Sequence, residues 1–444
     1  MVRTTLTNMH STRTDAEKAF LVGVELRGSN PLLGIEDSLE ELALLAETAG
    51  LEVTGDAMQR MHSIDPATLV GSGKVNEVKE AVETLGIDVV IFDEELSPRH
   101  QRELEKRFPE NVRILDRSAL ILDIFAQHAQ THEGSLQVEL AQYEYRLPRL
   151  TRQWSHLARQ AGGSSVGGGA GGVGLRGPGE TQLEVDRREI GARISKLRED
   201  LDRVRAHRQT HRRKRKRSGI PVVALVGYTN AGKSTLLQSL TDSKTYVADQ
   251  LFATLDPLTR KTELPSGRKI LFSDTVGFIQ KLPTTLIAAF RATLEEVTEA
   301  DLLLHVVDVS HPNMREHVEA VEDTLATIDM PNDVRRILVW NKSDLYEEST
   351  PPVVDSVERY DATALVSAHT GNGLEALLQT IEEVLVSALY QVELLIPYSD
   401  GDIVSMLYDL TTVEAQEHTS EGVRMTVQVP PSLYKRVSQY QILE

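Results

Sequence analysis

Apolar positions recur along this chain with two different periods, and the places where one period gives way to the other predict most of its architecture. Phe20–Val24, Leu51–Val53 and Asp88–Phe92 are short apolar runs of strand type, while Ser38–Ala49, Val75–Leu85 and Pro98–Phe108 repeat apolar residues at helical spacing. Strand and helix in alternation predict an N-terminal α/β domain on a parallel sheet over residues 20–125. Residues 1–19 lack either period and are expected to be a disordered leader. Gly71-Ser72-Gly73-Lys74 looks like half of a phosphate loop, but Thr68 stands where the leading glycine belongs. A helix start is the expected reading there.

Two further seams follow. Leu140, Tyr143, Leu147, Leu150, Trp154 and Leu157 form one, and Ile190, Ile194, Leu197, Leu201 and Val204 the other. Both predict amphipathic helices, packed as an antiparallel hairpin over 126–218, with a kink at Pro148. The connection, Ala161–Gly179, holds ten glycines. So flexible a tip is either a linker or a segment that folds against a partner. Arg176 and the following Glu180-Thr181-Gln182 favour the partner. Residues 219–389 return to alternating strands and helices, and 390–444 read as a small C-terminal α+β domain, with strands at Val392–Ile396 and Val423–Val427 around a helix at Asp402–Tyr408.

Chemistry concentrates in the third of these regions. The apolar strand Val222–Val226 runs into Gly227-Tyr228-Thr229-Asn230-Ala231-Gly232-Lys233-Ser234. Such a strand-to-helix turn aims backbone N–H groups at phosphate oxygens, Lys233 reaches the terminal phosphates, and the Ser234 hydroxyl is placed for Mg²⁺. ATPases use the same loop, so this segment alone leaves the base open. Asp274-Thr275-Val276-Gly277 follows the strand Ile270–Phe272, where Asp274 is expected to hold Mg²⁺ and the Gly277 N–H to meet a γ-phosphate. Asn341-Lys342-Ser343-Asp344 ends the strand Ile337–Trp340. An ionised Asp344 only accepts hydrogen bonds, which matches the N1–H and N2 amino donors of guanine. Adenine would strand that carboxylate, a loss of roughly 1–3 kcal/mol. Ser367-Ala368-His369 is expected to bring backbone N–H groups near guanine O6. The ordered set predicts a P-loop GTPase domain that binds GTP and GDP, with GTP as substrate and Mg²⁺ as cofactor.

Phe252-Ala253-Thr254-Leu255-Asp256 sits where a first switch belongs. Thr254, with Thr259 as the alternative, is expected to bind Mg²⁺ through its hydroxyl and the γ-phosphate through its backbone. Many small GTPases place a water-orienting Gln directly after Asp-x-x-Gly, but here Phe278 occupies that position. Something else must complete the site. Asn230 is a candidate ligand for a monovalent cation such as K⁺, which would add positive charge beside the β- and γ-phosphates. Lys233, Asn230, Thr254 and Gly277 are therefore the expected catalytic set.

Composition narrows the remaining classes. The absence of cysteine excludes disulfides, thiolate zinc sites and cysteine nucleophiles. The histidine pairs His128/His132 and His207/His211 have helical spacing but lack the Glu that follows the first His of a metalloprotease helix, so they are expected as exposed or capping residues. No stretch reaches the apolar length of a membrane span and the start lacks a signal-peptide core, so a cytoplasmic monomer is expected. The net charge is −18, yet Arg203–Arg217 carries nine Lys or Arg residues, six of them consecutive. That segment is either an RNA-phosphate contact or a flexible linker.

Taken together, the chain resembles the HflX family of translational GTPases over nearly its whole length. The likeness rests on Leu122-Asp123-Ile124-Phe125-Ala126-Gln127, Leu136-Gln137-Val138-Glu139-Leu140-Ala141-Gln142, Asp274-Thr275-Val276-Gly277-Phe278 and, most specifically, Gly177-Pro178-Gly179-Glu180-Thr181-Gln182-Leu183-Glu184. The resemblance implies a GTPase that binds the large ribosomal subunit and its rRNA, reaches towards the peptidyl transferase region with its N-terminal domain and hairpin, and acts in ribosome splitting or rescue. It also implies that the nucleotide segments named above line the site, with Ser234 and Thr254 on Mg²⁺.

Overall fold

The computed structural model describes residues 16–28, 31–150, 178–217, 220–241, 251–252, 254–255, 257–281, 296–328, 330, 334–348, 350, 352, 354, 356–387, 389–429 and 431–442. Residues 1–15 of the expected leader, Trp154 and Leu157, most of the glycine-rich tip with Arg176, and Ala253 and Asp256 of the first switch lie outside them. The chain forms two compact units, residues 1–124 and 125–444.

The first unit alternates β1 (Lys18–Leu26), α1 (Ile35–Thr48), β2 (Glu52–Met61), α2 (Ser72–Leu85), β3 (Val89–Phe92), α3 (Pro98–Glu105) and β4 (Arg113–Asp116), and α4 (Arg117–His128) follows. The sheet is parallel, in the order β2-β1-β3-β4. Val22, Val90 and Phe92 pack against Val75, Val78 and Val82 of α2, the apolar stripe that marked this helix in the sequence. Strand β1 begins at Lys18, two residues inside the expected leader. Strand β2 is ten residues long rather than three, because an edge strand needs no continuous apolar run: only Ala57 within it is buried. The turn at Gly71 starts α2, as the missing glycine implied, and its N–H donates to Gln59 Oε1 at 2.9 Å.

A buried charge cluster ties three of these elements together. Arg117 donates to Asp93 at 2.7 Å and pairs with Glu41, while the Ser38 hydroxyl donates to the other Asp93 oxygen at 2.7 Å. All four residues are buried, so the guanidinium is what makes two desolvated carboxylates tolerable.

The second unit opens with α5 (His132–Arg146), capped by the Thr131 hydroxyl, which accepts from the Gly134 N–H at 3.0 Å. At Pro148 helix α5 gives way to a 3₁₀ turn, Leu147–Arg149, and the expected seam beyond Leu150 lies outside the described residues. Helix α6 (Pro178–Arg217) packs on α5 through Leu136, Leu197 and Leu201. Glu133 pairs with Arg208 and Glu144 with Arg198, both at 2.7 Å, so the two helices run antiparallel. The basic run forms the last turns of α6, a helix rather than a linker. His128 and His132 fall on different helices, and among the described residues no His, Asp and Glu side chains cluster as a metal site.

Next come β5 (Val222–Val226), α7 (Lys233–Thr241), β6 (Leu258–Glu263), β7 (Lys269–Asp274), β8 (Leu302–Asp308), α8 (Met314–Ala326), β9 (Arg335–Asn341), β10 (Ala362–Leu365) and α9 (Leu374–Ser387). They build a sheet of order β10-β9-β8-β5-β7-β6, parallel except for β6. Strand β6 was not anticipated: its alternating polar residues sit at the sheet edge, and Thr259, the alternative switch threonine, pairs with Ser273 inside it. The segments after β5, β7, β9 and β10 emerge at the carboxyl ends of the parallel strands, where ligands bind in open α/β sheets.

Strands β11 (Tyr390–Ile396), β12 (Thr412–His418) and β13 (Val423–Val429), with α10 (Gly401–Leu410) and α11 (Pro431–Val437), complete the chain as an antiparallel sheet of order β11-β13-β12. The polar edge strand β12 escaped the apolar pattern for the same reason as β2 and β6. No described helix is long and apolar enough to cross a membrane.

Removing the buried guanidinium while leaving its carboxylates should be costly. Arg117→Met is expected to lower stability by about 3–5 kcal/mol, read as an earlier denaturant midpoint. An unchanged midpoint would mean that the cluster is not held by its charge balance.

Candidate nucleotide site

Five segments at the top of the six-stranded sheet line a cavity of about 420 Å³. The phosphate loop turns at Gly227, whose backbone is left-handed (φ 153°), and a Cβ there would lie 2.2 Å from the Val306 carbonyl oxygen of the neighbouring strand. Only glycine fits. Asn230 adopts φ 58°, a conformation asparagine tolerates better than most residues, and its exposed side chain lines the cavity. Lys233 is buried and donates to the carbonyls of Gly227 (3.1 Å) and Tyr228 (2.7 Å), which pins its ammonium beneath the loop.

Three oxygens converge where a divalent cation was expected. The Ser234 hydroxyl donates to Asp274 Oδ2 at 2.6 Å and lies 2.8 Å from the Thr254 hydroxyl. Asp274 is fully buried, and its Oδ1 has no hydrogen-bond partner among the described residues. Burial pushes the Asp274 carboxyl above its usual range, against the hydrogen bond from Ser234 and the charge of Lys233. Burial likewise lowers the Lys233 ammonium to about 8, and Asp274 only partly offsets it. A buried carboxylate with an unused oxygen beside two hydroxyls is a donor set that fits Mg²⁺.

At the other end of the cavity, Asn341 joins two loops. Its Nδ2 donates to the Ala231 carbonyl at 2.9 Å and its Oδ1 accepts from the Ala368 N–H at 3.0 Å. The Ser367 hydroxyl donates to Asp344 Oδ1 at 2.5 Å, and the Thr370 N–H donates to that hydroxyl at 3.1 Å. Lys342, at φ 61°, is tied to Asp308 at 2.7 Å, so its aliphatic stem lies across the cavity wall.

Of the residues singled out from sequence, Thr229, Asn230, Gly232, Lys233, Ser234, Phe252, Thr254, Thr275, Gly277, Asn341, Lys342, Asp344, Ala368 and His369 line this cavity, and Thr235 and Leu345 join them. Others stand behind it. Gly227 and Ala231 shape the loop backbone, Asp274 lies below Ser234, Ser367 holds Asp344, and Val276 is core. The Tyr228 ring turns to α8, the Ser343 N–H donates to the Val366 carbonyl, and Leu255 does not reach the cavity. Phe278 is buried, as suits a side chain with no role towards water. Two contributions were not visible in the sequence. Leu345 is an exposed apolar side chain at the base end, and Phe252 meets Phe125 edge to face at 4.8 Å.

Comparison with known proteins identifies the family. Residues 36–126 match the family described as GTP-binding GTPase N-terminal, 128–215 the GTP-binding GTPase Middle Region, 222–342 the 50S ribosome-binding GTPase, and 352–437 the HflX C-terminal domain. The GTPase HflX of Caldanaerobacter subterraneus subsp. tengcongensis is 43% identical over 97% of this chain and 95% of its own length. The GTPase HflX of Escherichia coli strain K12 is 42% identical over 90% of this chain and 92% of its own. Among solved structures, a GTP-binding protein from Sulfolobus solfataricus in complex with GDP is 24% identical, covers 83% of this chain and 98% of that one, and superposes loosely, with a TM-score of 0.44.

The depressed ammonium gives a pH signature. Its folded value of about 8 lies below the ordinary 10.5, so above pH 8 the empty site holds Lys233 largely neutral, and polyphosphate binding should draw a proton back onto it. GDP binding at pH 8.5 is expected to take up a proton and at pH 7 to take up little, measured by calorimetry in buffers of different ionisation enthalpy. Equal uptake at both values would show that Lys233 does not meet the phosphates.

Proposed function

Because the chain belongs to the HflX family of GTPases, we propose that it hydrolyses GTP to GDP and phosphate in association with the large ribosomal subunit, acting in ribosome splitting or rescue. The observation that carries the nucleotide part of this reading is the cavity that unites the phosphate loop, the Ser234 and Thr254 hydroxyls above Asp274, and the Asp344 residue. Guanine N1–H and its amino group donate to Asp344, which Ser367 holds in place. The phosphates lie on the N–H groups of the loop, with Lys233 beside the terminal pair. A water oxygen bonds to the γ-phosphorus as the bond to the β–γ bridging oxygen breaks, and the water protons pass to the phosphate product and solvent. Gly277 N–H and the Thr254 backbone face the γ-phosphate in this reading. A Mg²⁺ ion held by Ser234, Thr254 and Asp274 would neutralise charge on the β- and γ-phosphates. Asn230, at the cavity edge, is the proposed ligand of a K⁺ ion that would add positive charge beside the β- and γ-phosphates, where Phe278 stands in place of a water-orienting glutamine.

The ribosomal part rests on the match of 222–342 to the family described as 50S ribosome-binding GTPase. It rests also on the basic end of α6, which stands out from a chain of net charge −18. In this reading the N-terminal α/β domain (20–125) and the hairpin (126–218) meet rRNA, the GTPase domain (219–389) times the contact, and the protein works as a cytoplasmic monomer.

Three measurements test this. Co-sedimentation with large subunits is expected in the presence of a non-hydrolysable GTP analogue and to fall with GDP; retention that ignored the nucleotide would contradict the switch. GTP turnover should rise when subunits are added, whereas a flat rate would point to a nucleotide-gated assembly factor with incidental hydrolysis. Turnover that is equal in K⁺ and Na⁺ buffers would remove Asn230 from the catalytic set.

A further inference from the structure

Tyr228 is the second residue of the phosphate loop, yet its ring is buried away from the nucleotide. It stacks face to face on His317 of α8, with ring centroids 3.9 Å apart and planes within 7°. His317 in turn meets His311 at 4.3 Å. His311 sits in the turn after β8, where its N–H donates to the carbonyl of Asp308, the same residue whose side chain pairs with Lys342. The stack is therefore anchored to the base-reading end of the site.

The other edge of the ring faces the segment that should sense the γ-phosphate. Thr229 N–H donates to the Phe278 carbonyl at 2.8 Å, and Phe278 N–H donates to the Gly227 carbonyl at 3.0 Å. These two bonds lock the phosphate loop to the residue after Gly277. One turn further on, the Gln280 N–H donates to the Tyr228 hydroxyl at 3.0 Å. Here a side chain, not the backbone, holds the second switch, and Lys281 next to it turns into the left-handed region at φ 53°. Gly277 itself is wedged against the same loop: a Cβ there would lie 2.9 Å from Thr229 Cα and 3.0 Å from Lys233 Nζ.

We propose that Tyr228 is a positioning residue for hydrolysis: clamped by His317 and bonded to Gln280, it sets the start of the second switch relative to the phosphate loop without touching the nucleotide. The inference rests on the hydrolase reading. A clamp of this kind should act on the rate of the chemical step and leave the binding of GDP, which lacks the γ-phosphate, unaltered. A merely structural tyrosine would move both together.

The test uses the full-length protein and three variants. Tyr228→Phe keeps the stack and removes one hydrogen bond; it is expected to lower kcat about 5- to 10-fold, with KM for GTP and the Kd for GDP within twofold of the parent. His317→Leu should lower kcat to a similar degree, and His317→Phe, which restores a flat ring, should recover most of it. Hydrogen exchange gives a reading that needs no turnover: in Tyr228→Phe the Gln280 amide is expected to exchange about tenfold faster while the Phe278 amide keeps its protection. An unchanged Gln280 amide, a parental kcat, or a parallel loss of kcat and GDP affinity would each overturn the proposal. A parent protein without GTP turnover, its Gln280 amide still dependent on the Tyr228 hydroxyl, would sink the hydrolase reading, and the positioning role with it.

Discussion

The site depends first on one buried carboxamide. Asn341 uses its donor on the phosphate loop and its acceptor on the loop after β10, so a single planar group sets the distance between the place where phosphates lie and the place where a purine is read. No isosteric residue can replace it: an ionised carboxylate cannot donate, and leucine can do neither. With both bonds made inside a fully buried environment, the two ends of the cavity are held in register before any ligand arrives. Preorganisation of this kind spares a ligand the ordering cost that would otherwise be subtracted from its affinity.

That rigidity surrounds a site that is electrostatically uneasy when empty. Lys233 and Asp274 are both buried, and burial weakens the charged form of each. Protein chemistry rarely keeps such groups for stability; they become favourable when a polyphosphate and a cation supply the missing charges. The hydroxyls of Ser234 and Thr254 meet over Asp274 in the same spirit, each satisfied by its neighbour yet arranged to face a common centre. The N-terminal unit shows the contrasting solution, in which Arg117 pairs with Asp93 and Glu41 inside the protein.

Much of this was legible in the sequence, for reasons that can be assigned to particular residues. The phosphate loop could be read because its backbone geometry demands glycine at 227 and its chemistry demands Lys233 and Ser234 at set distances along the chain. Central strands such as β5 and β9 could be read because burial on both faces requires unbroken apolar runs. The edge strands β6 and β12 could not, and β2 only over its first residues, since exposure lets polar residues fill them and they merge with loops. The roles of Ser367 in fixing Asp344, of Phe252 against Phe125 and of Tyr228 against His317 arise from residues far apart in the chain. Single-sequence spacing carries no signal for such contacts.

The central claim is that the Asp344 carboxylate, held by Ser367, selects the base. Asp344→Asn exchanges an acceptor pair for one acceptor and one donor, which suits xanthine, whose C2 carries a carbonyl in place of the amino group of guanine. Competition binding of GTP and XTP to parent and variant tests this most directly. GTP preference is expected to fall by about 1–3 kcal/mol, roughly 5- to 150-fold, and XTP to gain. An Asp344→Asn protein that still preferred GTP as strongly as its parent would contradict it.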